Sequence, residues 1–117
     1  MTILAAHAEA LLARLPEKPS RDWPDGEPFT VALAHGTMSV EVYAPRGHDP
    51  QTPHEQDELY IVLKGRAVLE VEGERREAPS GTVLFVPAHA RHRFHELSAD
   101  FAAWVVFWGP KGGERPR

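Results

Sequence analysis

The sequence predicts an all-β fold, a β-sandwich or jelly-roll barrel, preceded by one short α-helix. Short segments between Phe29 and Trp108 alternate apolar and polar residues with a period of two, and glycines and prolines separate them. Helical spacing is confined to residues 2–15, so the sequence lacks the alternation of strands and helices that is typical of a parallel sheet. The length of 117 residues fits a single domain.

The N-terminal segment predicts one amphipathic helix over Thr2–Leu15. Its apolar residues share one helical face, and they are Leu4, Ala8, Leu11, Leu12 and Leu15. Four prolines between residues 16 and 28 then predict an irregular connection. We therefore divide the chain into an N-terminal helix and irregular arm (residues 1–28), a barrel (29–110) and a polar tail (111–117).

The remaining elements are strands. Seven are predicted, namely Phe29–Leu33, Met38–Val42, Leu59–Leu63, Ala67–Glu72, Val83–Val86, Arg91–Phe94 and Phe101–Trp108. A turn at residues 35–37 joins the first two, and Gly73 predicts a hairpin turn after the fourth. The last strand is apolar on both faces, so its outer face needs a cover from the N-terminal helix or from a second subunit. We expect a homodimer.

Composition excludes several classes of function. The chain has no cysteine, so a disulfide framework and a thiolate metal site are excluded, and a metal would require nitrogen and oxygen ligands. The net charge of −4 comes from interspersed acidic and basic residues, which argues against a nucleic-acid partner. No apolar run approaches the roughly 20 residues of a membrane span. The first residues lack the basic start of a signal peptide, so we expect a cytoplasmic protein.

Residues 52–65 hold the first candidate ligands. On one straight strand, His54 and Glu58 would lie about 13 Å apart, too far to share a metal ion. The chain must therefore bend through residues 55–57, whose polar side chains suit a turn. Glu58 would then begin a strand whose Tyr60 and Val62 point into the barrel.

Residues 81–94 supply a second imidazole. A buried strand ends at a proline turn, and His92 begins the next strand, with Phe94 two residues further on. Five of the seven histidines lie between His48 and His95. An apolar interior with histidine and glutamate at its mouth is typical of a small-molecule site, so we expect a small organic molecule to bind in the barrel mouth.

These two stretches resemble the two motifs of the cupin superfamily. The first motif has H-x-H, three or four residues, a glutamate, six residues and a glycine; His54, Glu58 and Gly65 match its second histidine, glutamate and glycine. The second motif has a glycine, five residues, P-x-G, two residues, a histidine, three residues and an asparagine. Gly81, Pro87 and His92 match it. The resemblance covers residues 35–109 and implies a double-stranded β-helix, which is the jelly-roll barrel of that superfamily.

The sequence departs from the motifs at three positions. Thr52 stands at the first histidine, His89 at the glycine and Glu96 at the asparagine. The resemblance therefore implies a site of two histidines and one carboxylate, formed by His54, Glu58 and His92. Such a ligand set binds Fe, Mn, Ni, Zn or Cu, and we favour Fe or Mn. A fourth ligand could come from Gln51, Thr52 or Gln56, of which we rank Gln51 first.

By this resemblance, the first functional hypothesis is a metal-dependent enzyme that acts on a small molecule such as an enol, catechol or 2-oxo acid. Dioxygenase (oxidoreductase) chemistry ranks ahead of isomerase or lyase chemistry, with Tyr60 or His95 handling a proton. The alternative is a non-catalytic, metal-dependent module that senses or stores a small molecule. A metal-free assembly barrel is a third hypothesis, favoured only if His54 and His92 lie far apart.

Overall fold

The computed structural model describes residues 4–117, and these residues form two packed antiparallel β-sheets. The elements are α1 (Ala8–Leu12), β1 (Phe29–His35), β2 (Met38–Tyr43), β3 (Asp57–Lys64), β4 (Arg66–Val71), β5 (Glu74–Pro79), β6 (Val83–Val86), β7 (His92–His95) and β8 (Ala102–Trp108). One sheet has five strands in the order β1-β2-β8-β3-β6, and the other has three in the order β5-β4-β7. The prediction of an all-β jelly-roll barrel with a short N-terminal helix is confirmed.

The main core lies between the two sheets. Tyr60, Val62 and Val105 face inward from the five-stranded sheet, and Leu69 and Phe94 from the three-stranded sheet, each at most 2% exposed. The Tyr60 and Phe94 rings meet edge to face, with centroids 4.8 Å apart. Burial of each such side chain contributes about 1.5–3 kcal/mol, so this layer fixes how the two sheets sit against each other.

The predicted helix is longer than the observed one. Helix α1 has only five residues, and Thr2 and Ile3 lie outside the described part of the chain. His7 provides no side-chain cap, and so short a helix forms in water only when tertiary packing holds it. Leu11 supplies that packing, whereas Leu4 is 86% exposed and does not join the apolar face. Among the described residues, no helix is long and apolar enough to cross a bilayer.

The sequence analysis missed strand β5. It pairs with β4 along its length, and the turn at Glu72-Gly73 gives both residues positive φ angles of 48° and 84°. Two-residue hairpin turns with this conformation match the twist of the strands that they join. Strand β5 begins Glu-Arg-Arg-Glu, so it offers no apolar alternation to detect.

The outer face of the five-stranded sheet is covered in part. Leu11 of α1 packs with Ala32 and Val42, and Leu63 and Trp104 border this second apolar cluster. On the edge strand β6, by contrast, Val83 is 60% exposed and Phe85 is 53% exposed. The N-terminal segment therefore provides only part of the cover that the apolar strand β8 and its neighbours require.

Candidate metal centre

The structure brings together the three side chains of the predicted ligand set. One ligand atom from each of His54, Glu58 and His92 lies within 4.8 Å of the other two. Glu58 is the second residue of β3, His92 is the first residue of β7, and His54 lies in the loop before β3. Residues 55 and 56 form the bend that the sequence required, because a straight strand would separate His54 from Glu58.

Two hydrogen bonds hold the loop that carries His54 against the loop before β7. The His54 carbonyl oxygen accepts a hydrogen bond from the His89 backbone nitrogen at 2.7 Å. Asp57 Oδ1, three residues further along the chain, accepts a second hydrogen bond from the Ala88 backbone nitrogen at 3.0 Å. These bonds hold the loop that carries His54 close to the turn that leads into His92.

Three candidate ligand atoms, on Glu58 and His92, have no hydrogen-bond partner. Both Glu58 carboxylate oxygens and His92 Nε2 are buried without one. His92 Nδ1 lies 3.0 Å from the Ala90 carbonyl oxygen and donates its hydrogen there, so in the neutral ring Nε2 presents a lone pair. This lone pair lies 3.2 Å from Glu58 Oε1, which is also an acceptor. Two buried acceptors at this distance need a cation between them, either a proton or a metal ion.

Burial lowers the pKa of both imidazoles, whereas the Glu58 charge raises it. Burial alone would lower the pKa of His92, but a protonated ring can donate from Nε2 to Glu58, and this hydrogen bond together with the Glu58 charge outweighs burial and raises that pKa. For His54, burial is the dominant cause and lowers the pKa, although Glu58 opposes it. His54 is therefore the histidine better suited to remain neutral, the form that binds a metal.

Gln51 lies beside the cluster in a fixed orientation. Its Nε2 donates to Asp49 Oδ2 at 2.8 Å, and since a carboxylate accepts but does not donate, the amide nitrogen must face Asp49. The Gln51 carbonyl oxygen consequently faces the metal ligands, 3.3 Å from His54 Nε2. Of the alternative fourth ligands, Thr52 lines the adjacent cavity, whereas the Gln56 amide donates to two backbone carbonyl oxygens outside the cluster.

The two residues predicted to handle protons differ in position. The Tyr60 hydroxyl is fully buried and lies 3.0 Å from Gln51 Nε2 and 3.2 Å from its Oε1. Burial, followed by the Glu58 charge, raises the pKa of Tyr60 well above its usual value, so the hydroxyl remains a donor. His95 lies on the other face of β7 from His92, and its Nε2 is 3.1 Å from Glu70 Oε1. The structure therefore does not bring His95 to the cluster.

Two of the three motif departures lie in the left-handed backbone region. His89 and Glu96 have φ angles of 65° and 53°. This region favours glycine and asparagine, which are the residues of the motif at these positions. The backbone at these two positions is therefore one that the motif residues readily adopt.

A cavity of about 290 Å³ opens next to the ligands. His54 and Glu58 form part of its wall, and the carboxylate of Glu41 forms another part. The sequence did not reveal Glu41 as a site residue. Val42 belongs to the apolar side of β2, so that side was expected to face the core and Glu41 to face away from it. The structure instead turns Val42 toward Leu11 of α1, and Glu41 toward the cavity.

Comparison with known proteins points to one family. The sequence model of the cupin domain matches residues 39–108. A protein of Streptomyces coelicolor is 42% identical over 81 residues, which cover 68% of this chain and 77% of that protein.

Two solved structures illustrate the similarity of fold. A cupin 2 conserved barrel domain protein from Salinispora arenicola is 24% identical, with a TM-score of 0.58 and coverage of 69% of this chain and 74% of that one. The DMSP lyase DddQ from Ruegeria pomeroyi is also 24% identical, with a TM-score of 0.65 and coverage of 77% of this chain but 50% of the lyase.

Proposed function

This chain belongs to the cupin family, and we propose that it holds one divalent transition metal with His54, Glu58 and His92 and acts there as an enzyme on a small organic molecule. One observation carries the proposal: buried Glu58 and His92 present acceptor atoms to each other with no hydrogen-bond partner. An isolated buried carboxylate is costly, and a metal ion removes that cost while using both acceptors.

Dioxygenase chemistry is the first reaction class that we propose, with iron or manganese as the metal. Two histidines and one carboxylate on one side of an ion are the ligand set of non-haem iron oxygenases. When bound, such a metal supplies Lewis-acid polarisation and, in the case of iron, redox chemistry with O₂. The chain itself contributes the fixed His92 tautomer, the buried Tyr60 hydroxyl as a hydrogen-bond donor, and a cavity for the substrate.

Gln51 is proposed as a fourth ligand. The carboxylate of Asp49 directs the amide nitrogen away from the cluster, so the carbonyl oxygen is the atom that Gln51 offers to a cation beside His54. A Gln51→Leu substitution tests this role, since it removes the carbonyl oxygen and should weaken metal binding. An unchanged metal affinity would argue that Gln51 only orients His54.

A lyase or isomerase reaction is the second candidate, and the position of Glu41 favours it. A carboxylate that lines the cavity beside the metal ligands can move a proton on a bound substrate without any redox step. The Ruegeria relative of similar fold is itself named a lyase. The assembly-barrel hypothesis, by contrast, required His54 and His92 to lie far apart, and they do not.

Oxygen consumption separates these candidates. Protein loaded anaerobically with Fe(II) should consume O₂ when it is offered a panel of enols, catechols and 2-oxo acids. His92→Ala should abolish this uptake, whereas His95→Ala, which changes a histidine on the outer face of the same strand, should retain it. Turnover without O₂ uptake would instead select the lyase or isomerase reaction, and binding without any turnover would leave the non-catalytic module.

We also propose that the protein is a homodimer that covers the exposed part of the five-stranded sheet. Strand β6 ends this sheet, and its Val83 and Phe85 are more than half exposed. An edge strand with apolar residues is a template for pairing with a second copy. Light scattering should give twice the chain mass, and Phe85→Glu should give the monomer; a monomeric parent protein would contradict the proposal.

A further inference from the structure

Three aromatic rings stand together in the wall of the cavity beside the metal ligands. Trp23, Phe29 and Tyr43 all line this cavity, and their ring centroids are 6.2 to 6.5 Å apart in every pair. The Trp23 ring is nearly perpendicular to the other two, at 74° and 79°. Rings grouped in this way provide the surface that recognises an alkylated ammonium group, because the faces of aromatic rings are electron-rich.

The charged side chains of the same wall are acidic. Asp22, Glu41 and Glu58 line the cavity, and among the residues that the structure describes no lysine or arginine does. Asp22 lies 3.5 Å from Arg21, but both side chains are largely exposed, so water screens this pair. These carboxylates can therefore attract a cationic group, whereas the proposed metal, once bound, attracts the oxygen-bearing end of a ligand.

The carboxylate of Glu41 has no neighbouring cation among residues 4–117 that offsets its charge. Burial, followed by repulsion from Glu58 and Glu27, raises the pKa of Glu41 to about 7, and no cation or hydrogen-bond donor among the described residues opposes this shift. Glu58, which lines the same cavity, is 1% exposed and has no hydrogen-bond partner. The proposed metal neutralises the Glu58 carboxylate, so the Glu41 carboxylate remains to face the ligand.

We infer that the cavity selects a small organic cation, with an alkylated ammonium group held by Trp23, Phe29, Tyr43 and the Glu41 carboxylate. The volume of about 290 Å³ admits only a small molecule. This inference rests on the proposed function, because it places the oxygen-bearing end of the same molecule toward His54 and Glu58. It also gives the N-terminal arm a role, since Trp23 reaches the cavity from that arm.

Two probes of equal shape test the inference. Choline carries a quaternary ammonium group, and 3,3-dimethyl-1-butanol is its uncharged analogue. Titration calorimetry at pH 8 on Zn(II)-loaded protein should show choline binding at least about tenfold more tightly, because cation–π contacts and a carboxylate both act on the charge. Equal or tighter binding of the neutral alcohol, or no binding of choline at millimolar concentration, would overturn the inference.

Two variants assign the preference to this cavity. Glu41→Gln keeps the shape of the side chain and should bring the two affinities within about threefold of each other, since the Glu41 charge is lost while the cation–π contacts remain. Glu77→Gln removes the same charge from the exposed strand β5 and should leave the preference unchanged. A tenfold preference that survives in Glu41→Gln would overturn the assignment, and the comparison in the parent protein holds even if a variant does not fold.

Metal analysis of the same samples separates this inference from the proposed function. Bound metal without a preference for choline contradicts only the inference. A preference for choline in a protein that binds no metal supports the inference about the cavity and contradicts the proposed function.

Discussion

Asp49 joins the two sheets, and its removal tests how the fold positions the site. The carboxylate is 2% exposed. It accepts hydrogen bonds from the Tyr43 hydroxyl on β2, from Gln51 Nε2 at 2.8 Å and from the Phe94 backbone nitrogen on β7 at 2.8 Å. One buried side chain therefore connects the five-stranded sheet, the three-stranded sheet and the loop that precedes His54.

We expect Asp49→Ala to lower the free energy of unfolding by about 4 kcal/mol. A hydrogen bond to a charged acceptor contributes about 1.5–3 kcal/mol, and the substitution leaves the buried Phe94 N–H and Tyr43 hydroxyl without an acceptor. Asp49→Asn should cost roughly half as much, because its carbonyl oxygen can still accept from Gln51 and Phe94.

Urea unfolding followed by circular dichroism measures this loss. With an m value of about 2 kcal/mol/M, the midpoint of Asp49→Ala should fall by roughly 2 M urea at unchanged m. Glu77→Ala, which removes an exposed carboxylate from β5, should stay within about 0.5 kcal/mol of the parent. A loss below about 1 kcal/mol in Asp49→Ala would refute the reasoning, since it would mean that the three donors find other partners.

Two further substitutions have outcomes that follow from the structure. Gly65→Ala should cost about 2 kcal/mol in thermal unfolding, because φ is +68°, the new Cβ would lie 3.0 Å from the Phe101 backbone nitrogen, and it would displace the Ser98 and Asp100 side chains. Gly36→Ala, where φ is +55° but the space is open, should cost only about 1 kcal/mol; equal losses would contradict the steric argument. The Glu41 pKa is raised from 4.5 to about 7, so the folded state holds more protons in this window and stability falls as pH rises through it. The raised pKa alone would give about 3 kcal/mol at pH 8, and solvent screening of this partly exposed group reduces that to about 2 kcal/mol. Metal-free Glu41→Gln should therefore match the parent protein near pH 4 and exceed its stability by about 2 kcal/mol at pH 8, measured by urea unfolding; equal stability at pH 8 would contradict the burial of this charge.

The strands and the ligand set were predictable because each leaves a local signal. Period-two alternation located seven of the eight strands, and the motif spacing predicted the positions of His54, Glu58 and His92. The exception, β5, is an edge strand that pairs on one side only and starts with four charged residues. It carries no apolar pattern, although the Gly73 turn before it predicted a hairpin.

The rest of the site depends on tertiary contacts that the sequence does not reveal. Asp49 lies 45 positions before Phe94, and nothing in its neighbourhood indicates that a backbone nitrogen of β7 reaches it. Glu41 sits in a strand with two apolar neighbours, Val40 and Val42, and only the tertiary packing of Val42 with Leu11 shows which side faces the cavity. The position of His95, in contrast, could be predicted from the sequence. Side chains alternate between the two faces of a strand, so His95, three residues after His92, lies on the outer face.

Elemental analysis of purified protein tests whether His54, Glu58 and His92 bind one metal ion. We expect about one redox-active transition metal per chain, lost in His54→Ala and in His92→Ala but retained in His95→Ala. A parent protein that holds no metal, even after anaerobic loading with Fe(II) or Mn(II), would contradict it.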